Sequence, residues 1–318
     1  MKKKIVAAIL MASLGMSLAA CGSSSDSSAA DTTTETEAIG EAQASDDAAA
    51  EADTTEASDF DSDSDISVIS REDGSGTRGA FIELTGVEEK DGDEKVDMTT
   101  EDAQIANSTS VVLTSVAGDD YAIGYISLGA LDDTVKALKV DGVEATAENV
   151  KSGDYTLARP FNIVTKDGMD NEVAQDFINY IFSEDGQAVV EEEGYIAVDT
   201  QDYESTQPEG KITVGGSTSV SPVMEKLIEA YKEVNPNATI ELQTSDSTTG
   251  VSNTQEGSYD IGMASRDLKD TETGVTAQAI ATDGIAVVVN NNNPLSDITT
   301  DMIKQIYTGE ITTWSEVE

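Results

Sequence analysis

An α/β fold in two lobes, with mainly parallel sheets flanked by helices, is the architecture this sequence predicts. Three observations carry the prediction. Beyond an acidic N-terminal stretch about 250 residues remain, enough for two lobes. Through them, short β-rich runs alternate with helical patterns. The turns between are marked by Gly and Asn rather than by Pro.

The chain opens with Lys2, Lys3 and Lys4 before an apolar run, Ile5–Ala20, that ends in Leu18-Ala19-Ala20-Cys21-Gly22. This run is short for a membrane span and has the layout of a secretory signal over residues 1–21. It also resembles a bacterial lipobox, in which Cys21 would be acylated and become the mature N-terminus. Cys21 is the only cysteine, so an internal disulfide is excluded. Residues 22–64 are Ser, Thr, Ala, Asp and Glu, without Lys or Arg and with almost no large apolar side chain. Such a stretch buries too little surface to offset its ordering entropy, which predicts a disordered acidic tether. The DSDSD run Asp61–Asp65 looks faintly like a calcium loop but lacks the Gly and closing Glu, so it reads as solvated linker. The net charge of −44 argues against nucleic acid and anionic lipid headgroups as partners.

Strands are predicted at Ile66–Ser70, Ala122–Ser127, Phe161–Thr165, Ile212–Val214, Thr239–Leu242, Ile261–Ala264 and Ile285–Val289. Asn171–Phe182 reads as a helix with Val173, Phe177, Ile178 and Ile181 on one face. Val223–Val234 does so through Val223, Leu227, Ile228, Tyr231 and Val234. Shorter helical patterns occupy Ala80–Leu84 and Thr300–Tyr307.

The chemistry narrows by absence. There is no histidine, which excludes Ser-His-Asp and Cys-His sites and removes the commonest metal ligand. No spacing singles out a catalytic pair of carboxylates, and a phosphatase would need an added metal or an activated Ser75. What stands out is three hydroxyl-rich glycine turns, each leading into a helical pattern. They are Gly74-Ser75-Gly76-Thr77, Gly215-Gly216-Ser217-Thr218-Ser219 and Ser247-Thr248-Thr249-Gly250. A helix N-terminus offers unpaired N–H groups and a positive dipole end, and small residues let an anion approach. One such turn is ordinarily a cap; three, one of them beside Arg71, point to an oxyanion site. Arginine is permanently charged and binds oxyanions in a bidentate way.

"ISVISREDGSGTRGAFIEL" and "GKITVGGSTSVSPVMEKLIEAY" then make the reading specific. They resemble the second-lobe signature and the start of the mature domain of the phosphate-binding lipoproteins that serve bacterial phosphate ABC importers. "YDIGMASRDLK", "DGIAVVVNNNNP", "IYTGEITTWSEV", "AIGYISLGAL" and "FSEDGQAVVEEEGYIAV" match the same family, so that nearly all of 65–318 is covered. The order differs from the family's. There the segment like Gly210–Glu318 comes first and that like Asp65–Val198 follows; here the C-terminal half leads, and Thr200–Glu209 joins the two. A circular permutation is expected, the alternative being a fragment of a tandem array.

The resemblance implies a class II periplasmic-binding-protein-like fold with the ligand cleft between lobes. The expected lobes are 65–158 with 292–318, carrying Arg71, and a continuous 159–291 that includes linker 200–209. Two crossings are expected, near Ala158–Ile163 and Val287–Pro294. Carried over residue by residue, the phosphate ligands would be Arg71, Ser75, Gly76 and Thr77 in one lobe, with Thr218, Ser219, Ser247 and Ser265 in the other. In several family members an aspartate at the position of Ser265 accepts the ligand's proton; here Asp267 or Asp73 could serve, the alternative being Ser265 with water. The resemblance further implies no reaction, metal or cofactor. The partners would be inorganic phosphate and the permease and ATPase subunits of an ABC importer, with attachment to the extracytoplasmic face of the cell membrane through lipid on Cys21. Alternatives are a sulfate, molybdate or tungstate carrier and a surface adhesion or signalling protein.

Overall fold

The computed structural model describes residues 60–317 apart from Asp93. The signal segment with Cys21, and residues 22–59 of the expected tether, lie outside the described residues. The chain begins with β1 (Ser67–Arg71), α1 (Gly76–Thr85), the hairpin β2 (Glu88–Asp91) and β3 (Glu94–Asp97), and β4 (Gln104–Ala106). Then come α2 (Thr109–Ala117), β5 (Ala122–Ser127), β6 (Lys136–Ala137), β7 (Lys139–Val140), α3 (Ala147–Ser152) and β8 (Ala158–Lys166). Next are α4 (Glu172–Ile181), α5 (Glu184–Glu192), β9 (Ile196–Ala197), β10 (Gly210–Ser217), α6 (Ser221–Val234) and β11 (Ala238–Ser245). The chain finishes with α7 (Ser247–Glu256), β12 (Ile261–Ala264), β13 (Val275–Val289), β14 (Asp297–Ile298) and α8 (Thr300–Thr308). Among the described residues no helix is long and apolar enough to cross a membrane.

The helices start where the sequence supplies caps. Ser75, Ser108, Asn171, Ser183, Asp246 and Thr299 each accept a backbone N–H from the first turn of the helix that follows. Asn171 opens the helix whose Val173, Phe177, Ile178 and Ile181 stripe is buried, as its spacing predicts.

The main sheet runs β11-β10-β12-β8-β13-β5-β1-β4. Parallel pairing is confined to two wings, β11-β10-β12 and β5-β1-β4. Between them β8 and β13 lie antiparallel to each other and to the wing strands they border, which makes the sheet mixed. Two large cores follow. One gathers residues between Phe161 and Ala281; the other takes Val68 to Leu157 together with Ile285 to Trp314. Packing therefore changes over between Leu157 and Phe161 on β8, and between Ala281 and Ile285 on β13. The second changeover falls before the expected Val287–Pro294. β13 is one unbroken strand that pairs with β8 as far as Gly284 and with β5 from Ile285 onward.

Both ends of the described chain meet. Ile66 N–H donates to Thr312 O at 2.8 Å and Trp314 N–H to Ser64 O at 3.3 Å. Trp314 is 5 % exposed, and its indole N–H reaches Tyr121 O at 3.0 Å. Phe60 packs on Tyr121 and Trp314 with ring centroids 5.0 and 6.0 Å away. Residues 60–64, expected to belong to the tether, are thus part of the fold, because Phe60 brings an aromatic ring to cover Trp314. The Asp61–Asp65 run makes a tight turn, Ser64 N–H donating to Asp61 O.

Segment 200–209 is anchored on one buried carboxylate. Asp176 accepts from Tyr231 Oη (2.7 Å), Ser205 Oγ (2.8 Å), Thr206 N–H (3.0 Å) and Tyr203 Oη (3.1 Å). Burial pushes this carboxyl up, but the bonds from Tyr231, Thr206, Ser205 and Tyr203 outweigh it and hold it below the ordinary aspartate value.

Candidate functional site

The carboxyl ends of the parallel strands in both wings converge, the usual place for a ligand in sheets of this kind. β1 ends at Arg71, β10 at Ser217 and β12 at Ala264, next to Ser265. The first turns of α1, α2 and α7 follow directly from strand ends on these wings. Helix dipoles of this kind favour an anion locally even in a chain of net charge −44, because distant exposed acids are screened.

Close approach of the wings depends on missing side chains. A Cβ on Gly76 would lie 2.5 Å from Ser247 Oγ and 2.8 Å from Ser265 Oγ. Within one wing, a Cβ on Gly216, at φ +140°, would lie 2.3 Å from Met263 O on the adjacent strand β12. The loops also bond directly, Thr248 N–H donating to Gly74 O at 3.2 Å.

Six of the predicted ligands come together. Thr77 Oγ1 lies 2.8 Å from Ser219 Oγ and 3.4 Å from Ser265 Oγ, and Ser247 Oγ is 3.4 Å from Ser265 Oγ. Arg71 is 2 % exposed. Its Nη2 donates to Thr218 Oγ1 at 3.1 Å. Through Nε and Nη2 it also forms a two-bond pair with Glu72, both bonds at 2.8 Å. Arg71 N–H donates to the buried Tyr125 hydroxyl. Gly76 lines the cluster with its backbone. Ser75 acts instead as a helix cap, its Oγ accepting from Arg78 N–H at 3.3 Å at the start of α1.

The two expected proton acceptors stand outside the cluster. The Asp73 side chain is 96 % exposed and pairs with Arg78 at 2.9 Å. Asp267 is exposed too, and the neighbouring Arg266 side chain turns to Glu272 at 2.7 Å. Ser265 itself is fully buried, its hydroxyl accepting from Ser217 Oγ at 3.1 Å.

Three participants were not predicted. Thr109, in the first turn of α2, brings its Oγ1 to 3.3 Å from Ser219 Oγ and to 3.5 Å from Arg71 Nη1. The Asn107-Ser108-Thr109-Ser110 run is a fourth hydroxyl turn, and only its lack of glycine hid it. Ser217 belonged to a recognised turn. Arg159 had one signal, a cation inside the apolar run Leu157–Val164. Its Nη2 donates to Thr77 Oγ1 at 3.0 Å and sits 3.1 Å from Asp283 Oδ2. Burial pushes the Asp283 carboxyl up to about 6, with Arg159, the Ser127 hydroxyl and the N–H groups of Gly129 and Leu128 drawing it back.

Hydroxyls, backbone N–H groups and guanidinium line this cluster; of the carboxylates beside it, Glu72 and Asp283 are each turned to an arginine and Asp246 is spent capping α7 through Thr249. That donor set suits a small ligand presenting several acceptor oxygens.

Two wings around an oxyanion-type cluster define a two-lobed binding protein. The chain belongs to the PBP superfamily, whose domain model matches residues 17–185 and 201–318. It is 55 % identical over 256 residues to the phosphate-binding protein PstS 2 of Streptococcus agalactiae, covering 79 % of this chain and 87 % of that one. The crystal structure of a phosphate ABC transporter phosphate-binding protein from Streptococcus pneumoniae superposes with a TM-score of 0.64 at 48 % identity. It covers 80 % of this chain and all of its own. The phosphate-binding protein PstS of Bacillus subtilis matches at 36 % identity over 138 residues, 43 % of either chain.

Proposed function

We propose that this chain binds inorganic phosphate between its two wings and hands it to the permease and ATPase subunits of an ABC importer. No reaction accompanies the binding. The observation that carries the reading is the convergence of Arg71, Thr77, Thr218, Ser219, Ser247 and Ser265 from segments more than a hundred residues apart. Gly76 completes the cradle through its backbone, and Ser75 contributes by fixing the α1 N-terminus. The names of the streptococcal relatives supply the ligand. Lipid on Cys21 would hold the protein on the extracytoplasmic face of the membrane.

The lobes are the two packing units, one continuous from β8 to β13 and one built from both ends of the fold. A circular permutation of the family order accounts for this. In its favour, Ser64 and Ile66 are stitched to Thr312 and Trp314, where an unpermuted chain would run through. A collinear match to a relative with exchanged halves covers only one half, as with the Bacillus subtilis protein. The long streptococcal match indicates that those relatives share the present order.

Calorimetric titration with phosphate and with sulfate tests the reading. Arg71→Ala is expected to weaken phosphate binding by about 3 kcal/mol, the scale of losing a buried charged donor. Binding unchanged by that substitution would reduce Arg71 to the partner of Glu72. With Asp73 and Asp267 turned to solvent, Asp73→Asn and Asp267→Asn are expected to leave the phosphate-to-sulfate ratio alone. A sulfate preference in the parent protein would favour the carrier of another oxyanion.

A further inference from the structure

We infer that Arg159 is a second guanidinium of the anion site, setting its affinity and charge preference, with Asp283 as its internal counter-ion. The inference rests on the phosphate reading and adds a residue and a means of charge balance to it. Arg159 on β8 and Asp283 on β13 are register partners at the place where packing passes from one wing to the other. They are 3 % and 1 % exposed. Through Thr77 the guanidinium is one hydroxyl away from Ser219 at the centre of the cluster.

The way Arg159 is held separates it from a packing residue. Among the described residues its Nε and Nη1 have no hydrogen-bond partner. The 3.1 Å contact with Asp283 Oδ2 is an ion pair without a directed hydrogen bond. Arg159 stacks over Phe161, 5.2 Å from the ring centroid, so its one directed bond is the one to Thr77. Buried polar groups are ordinarily satisfied, and a buried ion pair kept only for stability is often no better than apolar side chains of the same volume. Donors left unused beside an anion cluster are what a ligand would engage.

Charge balance leads to the same residue. Arg71 is already neutralised by Glu72 through two bonds. No carboxylate at Ser265 stands ready to take the ligand's proton. Asp283 faces Arg159, the phenols of Tyr155 and Tyr195, the Ser127 hydroxyl and the N–H groups of Leu128 and Gly129; Arg159 in turn faces Arg71 and Tyr125. An anion beside Thr77 acts on Asp283 in the same direction as burial, favouring its protonated form. A proton taken from solvent by Asp283 then leaves the charge of Arg159 to the ligand, so the protein, rather than the ligand, changes its proton count.

The test is calorimetric titration of phosphate into the parent protein and into R159Q/D283N, which removes both charges while keeping polar, hydrogen-bonding side chains at both positions. The double variant is expected to bind about a hundredfold more weakly, with its unliganded melting temperature within a few degrees of the parent. Between pH 5 and 8 the affinity ratio of the two proteins should stay level below about 6 and shrink above it, as Asp283 ionises and neutralises Arg159. The ligand's own ionisation is common to both and cancels in that ratio. Equal affinities, or a ratio indifferent to pH, would overturn the inference. Should the double variant fail to fold, the parent decides by NMR: the Arg159 Nε–H signal, identified by its loss in Arg159→Lys, must move saturably with phosphate. An unmoved signal also overturns it. A parent protein that does not bind phosphate at all would instead overturn the functional reading beneath it.

Discussion

The fold has two seams, and they are held by different physics. At one, residues 64–66 meet 312–314 with no covalent link, joined by backbone hydrogen bonds and an aromatic cluster of Phe60, Tyr121 and Trp314. At the other, residues 200–209 supply the covalent link and are seated on the single carboxylate of Asp176. Where the chain is cut, backbone bonds and aromatic rings cross the gap, and the one carboxylate that braces them, Glu316, is an exposed cap on Thr312 and Thr313. Where it is joined, an irregular segment needs a hydrogen-bond acceptor, and a buried aspartate with four partners gives it a fixed path.

Trp314→Ala breaks the first seam and should have the largest effect. It removes a buried indole, its bond to Tyr121 O and the surface on which Phe60 rests. A loss of about 4 kcal/mol in denaturant unfolding is expected. Asp176→Ala breaks the second. Tyr231, Tyr203, Ser205 and the Thr206 N–H lose their common acceptor, for a loss of about 3 kcal/mol. If the order of these two effects were reversed, the join rather than the cut would be the stronger constraint on the fold.

The smallest effect sharpens the comparison through pH. The Asp176 carboxyl lies below its ordinary value, so its stabilisation is complete above about 4 and is lost as pH falls through the folded value. Asp283 has the opposite sign. Raised to about 6, it contributes stability that is full below about 4 and lost as pH rises through 6. Acidification should therefore loosen the join while it relieves the Asp283–Arg159 pair, and should reach the cut only through the exposed Glu316 cap, so that Ile66 loses less protection than Thr206. Hydrogen exchange at the amides of Thr206 and Ile66 reads this directly. Equal loss of protection at both would show that Asp176 is not what distinguishes the seams.

Much of this was legible in the residues. The helix starts were, since Ser75, Asn171 and Thr299 are capping types placed before periodic apolar stripes. So were the strands that are buried on both faces, such as Ala122–Ser127 and Ile261–Ala264. The first ten residues of β13 were not, because Thr276, Ala277, Gln278 and Ala279 are small or polar and gain their strand from pairing with β8. Asp176 lies off the Val173, Phe177, Ile178 and Ile181 stripe, so helical spacing alone does not mark it. It is buried only because a segment almost thirty residues away in sequence folds over it. Arg159 and Asp283 were hidden for a related reason: their meeting follows from the register of two strands separated by more than a hundred residues.

The long pairing of β8 with β13 has a mechanical consequence. Nine residue pairs run in one ladder into the stretch where packing changes sides, interrupted by a register shift between Ala279 and Ala281. The wings are thus mounted on a ribbon rather than on loose loops. Such a ribbon flexes by twisting and returns to its resting angle, as a leaf spring does. The irregularity near Ala281 is where the twist would concentrate, one turn of the pleat from Asp283, so that motion of the wings and tension in the ribbon reach the same pair of residues.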